Sequence, residues 1–307
     1  MTVDPVRAIA DAVLYEGYIL WPYRRSALKN QRRFTFGGVF PPAHTQSHPD
    51  DPCSMRAEVL LWGQGEVEVT VRFLQIVQRT VLGPDGAPVD ERIVDGARFQ
   101  SWEEAVEREA EGPGPIAIPA GAERDGFMRR SWARLAGEVE VRSTPVRTNG
   151  LRRVRVSVHN RTRCAARGSR HEALTCAFCS THMLLRAAPG GSFVSSTDPP
   201  AELTDEAAGC RNVGCWPVLV GEPGRTDTML ASPIILEDHP RIAPESPGDM
   251  FDGGEIDQLL VLNILALTDE EKTEMAACDP RAAEILSRVE RLEPEQLMAL
   301  HGRTALR

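Results

Sequence analysis

The sequence predicts an α+β fold: an antiparallel β-sandwich or curled barrel core with helices at the N- and C-terminal ends. Three observations carry this. Val67, Val69, Val71 and Phe73 alternate with Glu68, Thr70 and Arg72, the period-two pattern of a half-buried strand. Asn149-Gly150, a tight hairpin turn, separates two further strand-like runs at 138–146 and 151–159. Helix-start signals fall near the two ends, at Asp4-Pro5, at Thr268 with Glu271, and at Asp279-Pro280. The expected organisation is a helix and aromatic-basic segment over 1–56, a β-rich core over 57–267 and a helical extension over 268–307.

Taken in order, Val6, Ile9, Ala10, Val13 and Leu14 recur at helical spacing behind Pro5, predicting a helix over about 5–15. A loop and then a strand through Phe34–Phe40 follow. PPAHTQSHPDDP (41–52) reads as an exposed loop. The alternating strand that begins after Ala57 continues to Leu82, and LGPDGAPVDE turns it toward a partner around Arg92–Phe99. Ser101 and Glu104 have the spacing of a capping box, which predicts a helix over 102–110, and GPGPIAIPAG (112–121) reads as irregular.

After the Asn149-Gly150 turn, Val154, Val156 and Val158 point to one face while Arg153, Arg155, Ser157 and His159 point to the other. Phe178–Ala187 reads as a strand returning through a PGGS turn to Phe193–Thr197. A short helix in 199–209 precedes strands at Trp216–Val220 and Met229–Leu236, and 239–255 is a long, proline-marked loop. Leu259–Leu267 is apolar on both faces and reads as a buried strand, with a helix fitting almost as well. Helices then start at Thr268 and over 280–292.

Composition narrows the function classes. The 307 residues are 42% hydrophobic and 26% charged, as in folded globular proteins. A net charge of −9 argues against nucleic-acid or membrane-surface partners, which select basic surfaces. The opening MTVDPVRAIADAV lacks the pattern of a secretory signal, and no apolar run is long enough for a membrane span, so no membrane insertion is expected. Seven irregularly spaced cysteines read as mostly reduced thiols of a cytoplasmic protein. No GxxxxGK[ST], strand-linked GxGxxG, GxSxG or HExxH occurs.

Four sets of residues are candidates for function. The segment 14–40 gathers Tyr15, Tyr18, Trp21, Tyr23, Phe34 and Phe36 around Arg24, Arg25, Lys29, Arg32 and Arg33, in an acidic chain. Tyr18, Tyr23 and those five cations are the partner-binding candidates, because Tyr, Trp and Arg dominate interface hot spots. The alternative is an internal seam, with the aromatics under the core and the arginines facing the chain's own carboxylates. A second set, Cys176, Cys179, His182, Cys210 and Cys215, has the ligand types of a zinc or other divalent-metal site. In an extended 176–186, Cys176 and His182 share a face and Cys179 lies on the other, and buried cysteines also serve as small hydrophobes.

The third set is acidic: Glu237, Asp238, His239, Glu245, Asp249, Asp252, Glu255 and Asp257, in or beside the 239–255 loop. These supply oxygen ligands for a hard cation or, equally, turns and caps. The fourth joins His159 and His182 with Asp238 or His239 as the catalytic candidates of a two-His, one-carboxylate metal enzyme.

LYEGYILWPYRRSALKNQRRFTFG, SFVSSTDPP, the long block CRNVGCWPVLVGEPGRTDTMLASPIILEDHPRIAPESPGDMFDGGEIDQLL, and LALTDEEK together resemble a family of bacterial proteins. That family is encoded beside nickel–iron hydrogenases and their maturation proteins. The resemblance runs over nearly the whole chain, is most specific over 216–257, and does not include Cys176 or Cys179. It implies an accessory or maturation role, with a hydrogenase subunit or maturation protein as partner, and no particular reaction.

Overall fold

Alternating strands build two antiparallel sheets that face each other, helices cover the outer face of the larger one, and the stretch expected to partner the long strand, 91–100, instead folds on itself as a separate two-stranded sheet. The structure is a computed structural model that describes residues 5–27, 30, 36–164, 168–241, 250 and 257–293. The strands are β1 (Ser54–Trp62), β2 (Val67–Leu82), β3 (Pro88–Val89), β4 (Glu91–Val94), β5 (Ala97–Gln100), β6 (Trp102–Gly112), β7 (Gly114–Ile118) and β8 (Gly121–Asp125). They continue with β9 (Met128–Trp132), β10 (Leu135–Pro145), β11 (Leu151–Asn160), β12 (Cys179–Ala187), β13 (Ser192–Phe193), β14 (Trp216–Leu219) and β15 (Thr228–Ser232). The helices are α1 (Pro5–Tyr15), α2 (Pro42–Thr45), α3 (Arg170–Leu174), α4 (Thr204–Ala208), α5 (Asp257–Leu265), α6 (Asp269–Cys278) and α7 (Pro280–Val289).

The smaller sheet has the order β13-β1-β11-β10-β7. The larger has the order β14-β15-β12-β2-β9-β8, with β3 and β6 also paired to β2. The long strand β2 is the spine: its residues pair with β12, β6, β9 and β3. Val69, Val71 and Phe73 of β2 pack with Val154, Val156 and Val158 of β11 between the sheets, as their alternation predicts. On the opposite face of the large sheet, α1 places Val6, Ala10 and Val13 on Leu184, Val218 and Leu230. Farther along that face, Ile264, Met275 and Ile285 of α5, α6 and α7 join Leu74 and Ile76. The fold is α+β with an antiparallel sandwich core, and most of its helical residues follow the strands.

Four further expectations are corrected. Residues 102–112 form a strand rather than a helix, because β6 pairs with β2 from Val69 to Arg79. Ser101 does not cap: its hydroxyl donates to Val89 O at 2.6 Å and accepts from Val81 N at 2.9 Å. Within the stretch read as irregular, Gly114–Ile118 pairs with β10. The return strand β13 pairs with β1 instead of β12, so the chain crosses between sheets at Gly190-Gly191. Residues 257–265 are helical: Leu260, Val261 and Ile264 are buried while Leu259 and Leu262 are exposed, which is a helical period. The expected strand at Phe34–Phe40 lies partly outside the described residues; its described part gives a single bridge between Val39 and Phe178.

Close packing between the sheets depends on Gly137. A Cβ there would lie 2.6 Å from Phe178 Cζ and 2.7 Å from the main-chain oxygen of His159. That oxygen belongs to a paired strand and has nowhere to move. Gly137→Ala is expected to lower the unfolding free energy by about 1–3 kcal/mol, the cost of overpacking. Urea denaturation is the measurement, and an unchanged midpoint would refute the assignment.

Candidate functional site

The aromatic-basic segment lies along the junction between the large sheet and α6 and α7, and its described residues are bonded within the chain. Tyr18 is buried; its hydroxyl donates to Asp279 Oδ2 at 2.8 Å and accepts from Ala105 N at 2.9 Å. Tyr23 is fully buried, with φ of 56°, a left-handed conformation unusual for a tyrosine. Its hydroxyl donates to the Met250 carbonyl at 2.6 Å. Arg24 reaches Glu271 at 2.9 Å, and Arg25 reaches Asp90 at 3.3 Å. Asn30 fastens the turn by accepting from Leu20 N and donating to the Leu20 and Arg24 carbonyls. Of the partner-binding candidates, Tyr18, Tyr23 and Arg24 are turned into the chain's own interior or its own carboxylates, whereas Arg25 is partly exposed beside the exposed Asp90. Lys29, Arg32 and Arg33 lie outside the described residues, as does Phe34.

His182 sits at the centre of the large sheet under α1, opposite Arg72 on β2. Both are fully buried. A register shift between Cys179 and His182, with Ser180 at φ 50°, inserts an extra residue into β12. Simple alternation puts Cys179 and His182 on opposite faces. The bulge instead sets them opposite Leu74 and Arg72, which share one face of β2. Arg72 donates to Asp11 at 2.6 Å, Glu109 at 2.9 Å and Glu107 at 3.3 Å. Burial, and then the charge of Arg72, push the His182 imidazole down to about 3. Its Nδ1 lies 3.3 Å from the Ser180 carbonyl, and its buried Nε2 has no hydrogen-bond partner.

His159 stands on the other sheet, on β11, with Nε2 3.9 Å from Glu140. Asp238 is a clamp: it accepts from the hydroxyls of Ser195 at 2.5 Å and Thr197 at 2.9 Å and from Leu219 N at 2.7 Å. The His239 amide donates to the Leu219 carbonyl, and its ring lies 3.2 Å from the Gly221 carbonyl. The four catalytic candidates thus serve three separate structural positions and do not converge. In the acidic loop, Glu245, Asp249, Asp252 and Glu255 lie outside the described residues.

The five metal-ligand candidates are likewise dispersed. Cys179 packs under the helices, Cys215 packs between the sheets, and Cys210 flanks a small cluster around Leu60 and Leu151. Cys176 lies in the turn after α3, beside Cys164. Burial raises the thiols of Cys176 and Cys210, and pushes that of Cys215 up to about 12. A protonated thiol is a poor metal ligand and a poor nucleophile. Among the described residues no group of three or more His, Cys, Asp or Glu could hold a metal ion.

What the structure does leave open to a partner is one end of the large sheet. Its edge strand β14 begins at Trp216, which is 46% exposed and pairs with Ser232. Pro233, next in line, lies against Gly37: a Cβ on Gly37 would come within 2.5 Å of the proline ring. The exposed Phe36 adjoins Gly37, and Ile235, 72% exposed, lies two residues beyond Pro233. Phe36, Trp216 and Ile235, three of the seven exposed large apolar side chains among the described residues, thus lie along the chain beside Pro233, whereas Val213 bridges to Arg56 of the smaller sheet. Clustered apolar exposure marks interaction surfaces, whereas scattered exposure does not.

Sequence reasoning did not single out this group. Residues 216–220 are apolar at every position, so alternation could not tell the exposed Trp216 from the buried Val218 and Val220. No helix among the described residues is long and apolar enough to cross a membrane. No protein-family model matches the chain, and no significant match exists among curated proteins.

Proposed function

We propose that this chain is an accessory or maturation protein of a nickel–iron hydrogenase system and acts by binding a hydrogenase subunit. The observation that carries the binding role is the exposed apolar group at the edge of the large sheet, above all Trp216 and Ile235. Both residues fall in the 216–257 block, where the resemblance to hydrogenase-associated proteins is most specific. An exposed apolar group of this kind suits a flat apolar contact, since the outward N–H and C=O of Leu219 are already taken by Asp238 and His239. Tyr18, Tyr23 and Arg24 already bond within the chain, which turns this reading toward the exposed group around Trp216.

The test is co-purification of the tagged protein with hydrogenase large and small subunits, comparing the native sequence with a Trp216→Asp, Ile235→Asp variant. Native protein is expected to retain a subunit, and the variant to lose it while keeping its unfolding midpoint. Absence of any subunit from the native preparation, with unchanged hydrogenase activity in a deletion strain, would rule the reading out.

A further inference from the structure

Three partly exposed cysteines, Cys53, Cys164 and Cys176, gather around Asn160 at the end of β11. Asn160 N donates to the Cys53 carbonyl at 3.0 Å, and its side-chain amide donates to the Cys176 carbonyl at 2.9 Å. The oxygen of that amide accepts from Thr162 N at 2.8 Å. One side chain therefore fastens the stretch leading to Cys164 against the turn that carries Cys176. The side chains of Cys164 and Cys176 meet there in a hydrogen-bond contact.

The other thiols are placed differently. Cys179, Cys215 and Cys278 are buried, out of reach of an oxidant in solution. Cys210 turns its thiol to the Glu206 carbonyl at 3.8 Å. Beside Cys164 in the chain, Arg161 and Arg163 line, together with Arg134, a cleft of about 410 Å³. Three guanidiniums on a chain of net charge −9 form a local point of attraction for an anion.

We propose that Cys164 and Cys176 are a redox-active pair, which an anionic low-molecular-weight disulfide of the glutathione type oxidises to a reversible intrachain disulfide. Cys164 reacts first, because burial raises the Cys176 thiol and keeps it protonated. Cys164 Sγ gives up its proton and attacks one sulfur of glutathione disulfide; that S–S bond breaks, and one glutathione leaves as a thiolate and takes up a proton. Cys176 Sγ then gives up its proton, attacks Cys164 Sγ and expels the second glutathione in the same way. Two electrons pass from the two protein thiols to glutathione disulfide. The new bond joins the chain after β11 to the turn after α3. Otherwise α3 is held by its Ser169–Glu172 capping box, by Arg170 on Asp51 at 3.1 Å, and by Ala173 and Leu174 in the core. Oxidation thus latches α3, independently of any hydrogenase partner and of the group around Trp216.

The full chain, purified reduced, is incubated in glutathione buffers of rising disulfide content, alkylated and mapped by mass spectrometry. Two of the seven thiols are expected to disappear together, as one linked peptide pair containing Cys164 and Cys176, and to return on addition of reduced glutathione. Cys176→Ser should instead keep one glutathione on Cys164, and Cys164→Ser should form no disulfide. Hydrogen exchange at Arg170–Leu174 should slow several-fold on oxidation of the native chain and in neither variant. The proposal is overturned if the linked pair is absent at every buffer ratio, if either cysteine pairs with Cys53 instead, if Cys176→Ser keeps no glutathione, or if oxidation leaves exchange at α3 unchanged. The linkage is read on the native chain, so it is decided whether or not either variant folds.

Discussion

Arg79→Ala is expected to remove about 3–5 kcal/mol of stability, the typical cost of deleting one partner from a buried, hydrogen-bonded ion pair. Arg79 is 7% exposed and spends every arm of its guanidinium within the chain. Nε donates to the Gln100 carbonyl at 2.9 Å, and Nη1 to Glu104 at 2.8 Å. Nη2 donates to the last carbonyls of α6, Ala277 at 3.1 Å and Cys278 at 2.8 Å. A cation at a helix C-terminus is favoured by the helix dipole as well as by those two bonds. Glu104 keeps a second partner, Arg130, at 2.6 Å, so the loss falls mainly on the three abandoned carbonyls. Urea denaturation measures the total, and hydrogen exchange should show α6 and α7 opening first. Arg79→Lys should recover only part of the loss, since a single ammonium cannot span all four acceptors. A decrease below about 1 kcal/mol in Arg79→Ala would show that the helices do not depend on this anchor.

The second large effect is on pH dependence, through His182. Its folded-state value is about 3, against 6.5 for an unperturbed imidazole, because burial and the neighbouring Arg72 oppose its charge. The unfolded chain therefore takes up this proton first as pH falls. Stability owed to the neutral imidazole is fully present above 6.5 and declines between 6.5 and 3, by up to about 1.4 kcal/mol per pH unit. Arg72, Arg7 and the carboxylates of Asp11, Glu107 and Glu109 are the other charged groups gathered there. They remain in His182→Leu, so the difference between the two proteins isolates the imidazole. Unfolding free energies at pH 7, 5.5 and 4.5 should fall more steeply in the native protein. Parallel curves would mean that His182 accepts its proton without cost.

The period-two reading located most of the sheet strands because each was constrained on one face by the core. It failed where charge did the work. Residues 102–112 have the composition of a helix, WEEAVEREAEG, and their carboxylates look like surface charges. In the fold, Glu104, Glu107 and Glu109 are partners of Arg79 and Arg72 on the adjacent strand. Nothing local to either segment encodes that pairing. The bulge that re-aims His182 was equally hidden, since Ser180 and Thr181 carry no sign of an extra residue. The internal seam was legible as one of two readings of residues 14–40, because so many aromatics beside so many arginines required both a core and a set of acids. Which acids was not legible, as Asp279 and Glu271 lie more than two hundred positions away and nothing near Arg25 marks Asp90.

That separation bears on how the chain comes together during synthesis. Tyr18 waits for Asp279, 261 residues later, and Arg24 for Glu271, 247 residues later. Until α6 and α7 have left the ribosome, Tyr18 and Tyr23 have no helical layer to cover them, and the part of the sheet around Leu74 and Ile76 stays bare. Contacts this distant in sequence are slow to form and leave aggregation-prone surface exposed in the meantime. The nascent protein should therefore need a chaperone for most of its translation and be released from it late, when the last helices close the seam.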